Sequence, residues 1–302
     1  MDSDGMMPED KNARLQLLKT DPDAFFAAAK RVHFRETLDL TGLDFSGLDL
    51  SDAPRRRRWD LSGANLSGCR VNASHLITCR LQGTNLEGVE ADDDLGDLGP
   101  IAALWAGQDA WHAWRQENEA PVLIGADLSG IDLSGYDLTN VSLSRSLLEG
   151  ADFRGATLEG TGLTMTSLGG ARFDGCSLNR VDMTSATLIQ SQFEGATLSL
   201  CRLDKADVTG ANFQATTWEG CVAKAVGGQG FDASRSIHKQ TVLTGASLPE
   251  SCWNGAILGP VFLEQSDLTG ASFTETNVDG AVFLGAEGLN LEGALNVDAA
   301  QR

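Results

Sequence analysis

Four histidines (His33, His75, His112 and His238) and six cysteines are the side chains of this 302-residue chain best suited to proton transfer, nucleophilic attack or metal ligation. Such chemistry needs a second, orienting group beside the first, and zinc sites need ligands at short, fixed spacings. Here the histidines are scattered, no CxxC pair occurs, and no GxxxxGK[ST] phosphate loop is present. The sequence therefore implies no catalytic residue, no metal ligand and no cofactor site, and the chain is not read as an enzyme. Recognition chemistry is better represented. Trp105, Trp111 and Trp114, three of six tryptophans, fall within ten residues, and aromatic side chains on excursions from a scaffold often anchor interfaces. Arg55, Arg56, Arg57 and Arg58 are consecutive; they could grip an anionic partner, or face the chain's own acidic surface. These seven are the candidate partner-binding residues.

Forty-two acidic side chains against 23 basic ones give a net charge of −19. Neutralising phosphates takes clustered Lys and Arg, so no direct nucleic-acid binding is expected. No apolar run approaches the roughly eighteen residues of a membrane helix, and the acidic start MDSDGMMPED is no signal peptide. The cytoplasm is the expected compartment, without membrane attachment. Glycine is abundant, at 34 residues, and proline scarce, at 7, which suggests many regular tight corners rather than disorder.

What would position the candidate residues is a repeat of period five. From Pro121 to Gly220 the chain divides into twenty pentapeptides whose central residues, Leu123, Leu128, Leu133 and onward to Phe213 and Trp218, are all apolar. Two residues before the centre stands a small side chain in 17 of the 20 units. A spacing of five matches neither the helical nor the strand period, so the backbone must turn a corner once per unit, with glycine relieving the corner. Phe153, Phe173, Phe193 and Phe213 recur every twenty residues, and Trp253 and Phe273 continue the series. The coil is therefore four-sided, with these rings in one interior column. Further units centre on Leu40, Phe45 and Leu50, on Leu61 to Leu86, and on Leu243 to Phe283.

Units such as Ala64-Asn65-Leu66, Ala126-Asp127-Leu128, Ala151-Asp152-Phe153 and Ala211-Asn212-Phe213 resemble the pentapeptide-repeat family. The resemblance implies an all-β solenoid, a right-handed quadrilateral β-helix, here with an N-terminal helical cap and one helical insert. It implies a non-enzymatic protein that binds an unidentified protein partner as a rigid module. Some members of the family are acidic and imitate duplex DNA, occupying the DNA-binding saddle of a type II topoisomerase such as DNA gyrase. The charge of −19 fits that group, but Arg172, Arg180 and Arg202 interrupt the acidic columns.

The expected organisation follows the repeat and its breaks. Residues 1–36 form the helical cap, with Asp21 as N-cap ahead of Pro22. Residues 37–91 form the first coils, with an arginine-rich bulge at 53–58 one residue longer than a unit. Residues 92–120 form the tryptophan-rich insert, read as a helix with Ile101, Leu104, Trp105 and Trp111 on one half of its circumference; it either packs on the coil or projects from it. Regular coils fill 121–220. Residues 221–242 keep the five-residue phase and are a degenerate coil or a loop. Residues 243–302 hold the final coils and a C-terminal cap, whose end coil could join two copies as a homodimer. Outward aspartates are read as solubilising. Cys69, Cys79, Cys176, Cys201 and Cys221 fall on the small inward position, as buried apolar groups.

Overall fold

Each side of the coil is a short extended run followed by a turn. The Ala156 N–H donates to the Phe153 carbonyl at 2.9 Å, closing a turn whose third residue, Gly155, has φ +69°. That positive φ is what a type II turn requires, and glycine takes it without steric cost. The corner keeps this geometry even without glycine: Arg145, Met165, Leu200 and Ala215 lie at φ between +54° and +60°. Neighbouring coils join as parallel rungs. The Phe153 N–H donates to the Arg172 carbonyl at 2.8 Å, and the Arg172 N–H to the Ala151 carbonyl at 2.9 Å. The rungs step by twenty, as in Asp132–Asp152 and Asp152–Arg172.

The computed structural model describes residues 6–33, 36–54, 58–91 and 99–302. They form two units, Met1–Asn118 with Gly125–Asp127 and Glu119–Ile124 with Leu128–Arg302. In the first unit, helices α1 (Lys11–Thr20) and α2 (Pro22–Ala29) are capped by Asp10, which accepts from the Ala13 N–H at 2.7 Å, and Asp21, which accepts from the Ala24 N–H at 3.0 Å. They cover the first coil: Phe25 packs edge-on to Trp59 at 5.8 Å, Lys11 Nζ donates to the Thr41 carbonyl at 3.0 Å, and Arg14 Nη1 to the Asp39 carbonyl at 2.7 Å. Strands β1 (Thr37–Asp39) and β2 (Asp49–Leu50) pair with β3 (Arg58–Asp60) and β4 (Arg70–Val71). Their partners, Thr37–Arg58 and Asp49–Arg70, lie twenty-one apart, so this coil is one residue longer than the regular step. After it the step returns to twenty, with Arg70 opposite Glu90 of β5 (Glu90–Ala91).

Two expectations for this unit need correction. The side centred on Leu76 is a single helical turn, α3 (Ala73–Leu76), because the Asn72 side chain accepts from the His75 N–H at 3.2 Å and starts a helix. The insert is two helices, α4 (Gly99–Ala106) and α5 (Gln108–Glu117), rather than one. The chain breaks at Gly107, whose φ of +114° no helix contains.

In the second unit β6 (Ser177–Asn179), β7 (Thr197–Ser199), β8 (Thr217–Glu219), β9 (Ile237–Lys239) and β11 (Ile257–Leu258) make a five-stranded parallel sheet, and β10 (Thr241–Val242) pairs with β12 (Val261–Phe262). Residues 221–242 are a coil, since Val222 bridges both Arg202 and Val242. That coil is unusual inside. Three of its central positions hold Ala223, Gly228 and Ala233, and the fourth holds His238. The phenylalanine column therefore stops. Phe153, Phe173, Phe193 and Phe213 stack at 4.6, 4.5 and 4.3 Å, but Ala233 offers no ring. Phe231, from the small position, fills the gap at 5.3 Å from Phe213 and 5.5 Å from Trp253, and the stack resumes at Trp253 and Phe273.

Candidate functional site

Within the insert, α5 is amphipathic and buries Trp111, whose ring stacks on Trp114 at 5.7 Å. Trp114 stays half-buried, and its carbonyl accepts from Asn118 Nδ2 at 2.8 Å, closing the helix end. Trp105, on α4, is half-buried with its indole Nε1 enclosed and without an acceptor among the described residues. The structure thus brings Trp111 and Trp114 together, while Ile101, Ala103 and Leu104 of α4 are buried. Arg58 is half-buried at the head of β3, opposite Thr37. Arg55, Arg56 and Arg57 lie outside the described residues.

Seven of the ten groups suited to chemistry are buried; His33 is exposed, and His112 and Cys252 are half-buried. His75 packs edge-on to Trp59 at 4.4 Å, with Nε2 3.4 Å from the Cys79 thiol. Burial lowers the His75 pKa to about 4 and raises that of Cys79, so neither is charged near neutrality. Burial likewise pushes the Cys176 thiol up to about 11. The Cys201 thiol is raised by its Cys221 neighbour and by burial. Burial alone lowers His238 to about 3. Among the described residues no three of His, Cys, Asp or Glu cluster as metal ligands, and no helix is long and apolar enough to cross a membrane.

Sequence reading missed a rule inside the wall. Trp218 Nε1 donates to Thr216 Oγ1 at 3.1 Å, Trp253 Nε1 to Ser251 Oγ at 2.8 Å, and His238 Nε2 meets Ser236 Oγ at 2.9 Å. Each central residue with a ring N–H has a hydroxyl two positions earlier, because a buried donor must be satisfied. The signal was present as Thr216, Ser236 and Ser251 at the small inward position, two residues before each ring.

The outward aspartates also do more than solubilise, which corrects that expectation. Asp132, Asp152, Asp182, Asp207 and Asp232 each accept, through Oδ1, the N–H two residues on, at 2.9–3.0 Å. Asn65 and Asn212 do the same. These Asx turns lead the chain into those corners, so Asp or Asn before the central residue has a structural part there as well as a solubilising one. The hydrogen bonds hold the carboxyls of Asp39, Asp44 and Asp267 below the usual carboxylate range. On the same faces Arg154 pairs with Asp152 at 2.6 Å, Arg172 with Asp174 at 3.2 Å and Arg202 with Asp204 at 3.1 Å.

The sequence profile of the family described as Pentapeptide repeats matches in eight copies, over residues 60–90, 122–155, 137–175, 163–199, 176–214 and 254–285. Among solved structures, the chain is similar to HetL, a pentapeptide repeat protein involved in heterocyst differentiation regulation from the cyanobacterium Nostoc sp. strain PCC 7120. Identity is 19% over 90% of each chain, with a TM-score of 0.27. It is similar also to a trypsin-treated form of QnrB1, a plasmid-mediated fluoroquinolone resistance protein, at 14% identity over 86% of this chain and 93% of that one, with a TM-score of 0.32. No curated protein sequence matches the chain. Profile copies spread over more than half of the residues, on coils whose rungs recur every twenty positions, make this chain a member of the pentapeptide repeat family.

Proposed function

We propose that the chain is a non-enzymatic, rigid protein–protein interaction module whose partner is held by the hairpin α4–α5. One contrast carries the reading. Many outward carboxylates of the coils are bound up in local Asx turns and ion pairs, whereas the hairpin keeps Trp105 and Trp114 half-exposed. A preformed surface loses little conformational entropy on binding, and half-exposed tryptophans are the residues that most often dominate an interface. The test is affinity capture from the native cell with the full chain and with Trp105→Ala and Trp114→Ala. Partners should drop out with the tryptophan variants; an unchanged set would dismiss the hairpin.

The DNA-mimic reading rests on the charge of −19. Weighing against it, the recurring carboxylates are committed to the turns, and Arg154, Arg172 and Arg202 neutralise neighbours along the faces. Purified protein at micromolar concentration should leave DNA gyrase supercoiling unchanged; inhibition would restore that reading.

A further inference from the structure

In the penultimate coil, three of four central amides find a carbonyl in the last coil. Leu268 donates to Glu287 at 2.9 Å, Val278 to Leu295 at 3.1 Å and Phe283 to Gln301 at 2.7 Å. The fourth does not. Neither the Phe273 N–H nor the Ala271 carbonyl has a hydrogen-bond partner among the described residues. The cause is a shortened coil: Asp267 and Glu287 are twenty apart, but Asn277 bridges Leu295, eighteen residues on. The shorter chain around Asn290 forms no bridge opposite Ser272 among the described residues, although Ser272 itself bridges Cys252 on the preceding coil. The ladder closes again where the Glu275 N–H reaches the Gly293 carbonyl at 2.8 Å.

Between these points lies a cleft of about 420 Å³ lined by Ser272, Phe273, Thr274, Asn290 and Glu292. Its floor carries one donor and one acceptor with the spacing of a parallel bridge, in which a single residue gives its N–H to one and its C=O to the other. Orphaned backbone groups beside a buried residue are rare in folded proteins, and Phe273 is 1% exposed. Glu292 puts a carboxylate on the cleft, and the sequence on either side of it is acidic. From Leu243 to the C-terminus there are eight carboxylates, among them Glu275, Glu287 and Glu292, and a single basic residue, Arg302.

We propose that this cleft is a strand-addition site for an extended segment of a basic partner polypeptide, one residue of which lies opposite Ser272, donating to the Ala271 carbonyl and accepting from the Phe273 N–H. This rests on the reading of the chain as a protein-binding module and names a second place, and a chemistry, for that binding.

The probe is a fluorescein-labelled acetyl-Lys-Val-Lys-Val-Lys-amide, followed by anisotropy alongside amide hydrogen exchange by NMR. In the free protein the Phe273 amide should exchange on the order of a hundredfold faster than that of Phe213, and saturating peptide should slow it. A peptide N-methylated at every residue cannot donate and should bind about tenfold or more weakly. Inserting Ala-Asn after Asn290 restores the twenty-residue step, so the chain should fill its own rung, protect Phe273 and reject the peptide. Unchanged exchange at Phe153 to Phe213 would show that this variant folds. Glu292→Lys, with no change of length, should weaken binding several-fold. A Phe273 amide as protected as Phe213 in the free protein overturns the proposal, as does equal binding of the N-methylated peptide. Peptide failure alongside partners still lost from the tryptophan variants removes the cleft alone and leaves the hairpin reading standing.

Discussion

His238 occupies a position that neighbouring coils give to Leu198, Trp218 and Leu258, and its chemistry follows from its partner. Ser236 Oγ donates to the Ala233 carbonyl, so it accepts from His238 Nε2. The ring is then the neutral Nε2–H tautomer, with Nδ1 buried and without a partner among the described residues. The folded ring resists protonation down to about pH 3, while the ordinary value is 6.5. Between these the unfolded chain binds the extra proton, so stability falls as pH drops from 6.5, by up to about 1.4 kcal/mol per pH unit. His75, at about 4, adds to the same window. We expect His238→Leu to flatten the loss of urea midpoint between pH 7 and pH 4.5; a parallel loss would refute the buried-ring account. The aspartates of the turns act lower. Their depressed pKa values stabilise the fold above the usual carboxylate range and fail only as pH falls through the folded values. Phe231 makes a packing prediction. Phe231→Ala should cost about 3–5 kcal/mol and Ala233→Phe about 1–3 kcal/mol by overpacking. The double variant should recover part of both costs, because it returns the ring to the column; additive costs in denaturant titrations would deny the compensation.

Corners and caps decide the elements. Gly175, at φ +66°, has open space where a Cβ would stand, so Gly175→Ala should cost about 1–2 kcal/mol from backbone conformation alone. Ala215, at φ +54°, offers the reverse experiment: Ala215→Gly should gain up to about 1 kcal/mol in thermal unfolding, and a loss would mean that the corner is unstrained. The coil was legible in the sequence because every fifth residue must face inward, and a one-residue error would put Leu or Phe in water. Its exceptions were less so. α3 depends on a single asparagine starting a helix within the repeat, and the break at Gly107 on one glycine inside an apolar pattern that a continuous helix also satisfies. Phe231 and Ala233 exchange sizes between two inward positions, which a pattern of apolar and polar residues cannot register. Of the candidate site, the clustering of tryptophans was visible, but the pairing of Trp111 with Trp114 depends on how the helices fold back.

For the molecule as a whole, a net charge of −19 repels itself in the folded state. Raising sodium chloride from about 10 to 200 mM shortens the Debye length from roughly 30 Å to below 10 Å, and the melting temperature should rise; a fall would place the balance with the Arg–Asp pairs instead. The four-sided step carries a different consequence, for lineage and for engineering. Adding five residues would keep the interior pattern intact yet rotate everything downstream by a quarter turn, handing each outward residue to the adjacent wall. Adding twenty would lengthen the stack and leave every wall's pattern where it was. Natural length variants that preserve a binding wall should therefore differ by whole multiples of twenty.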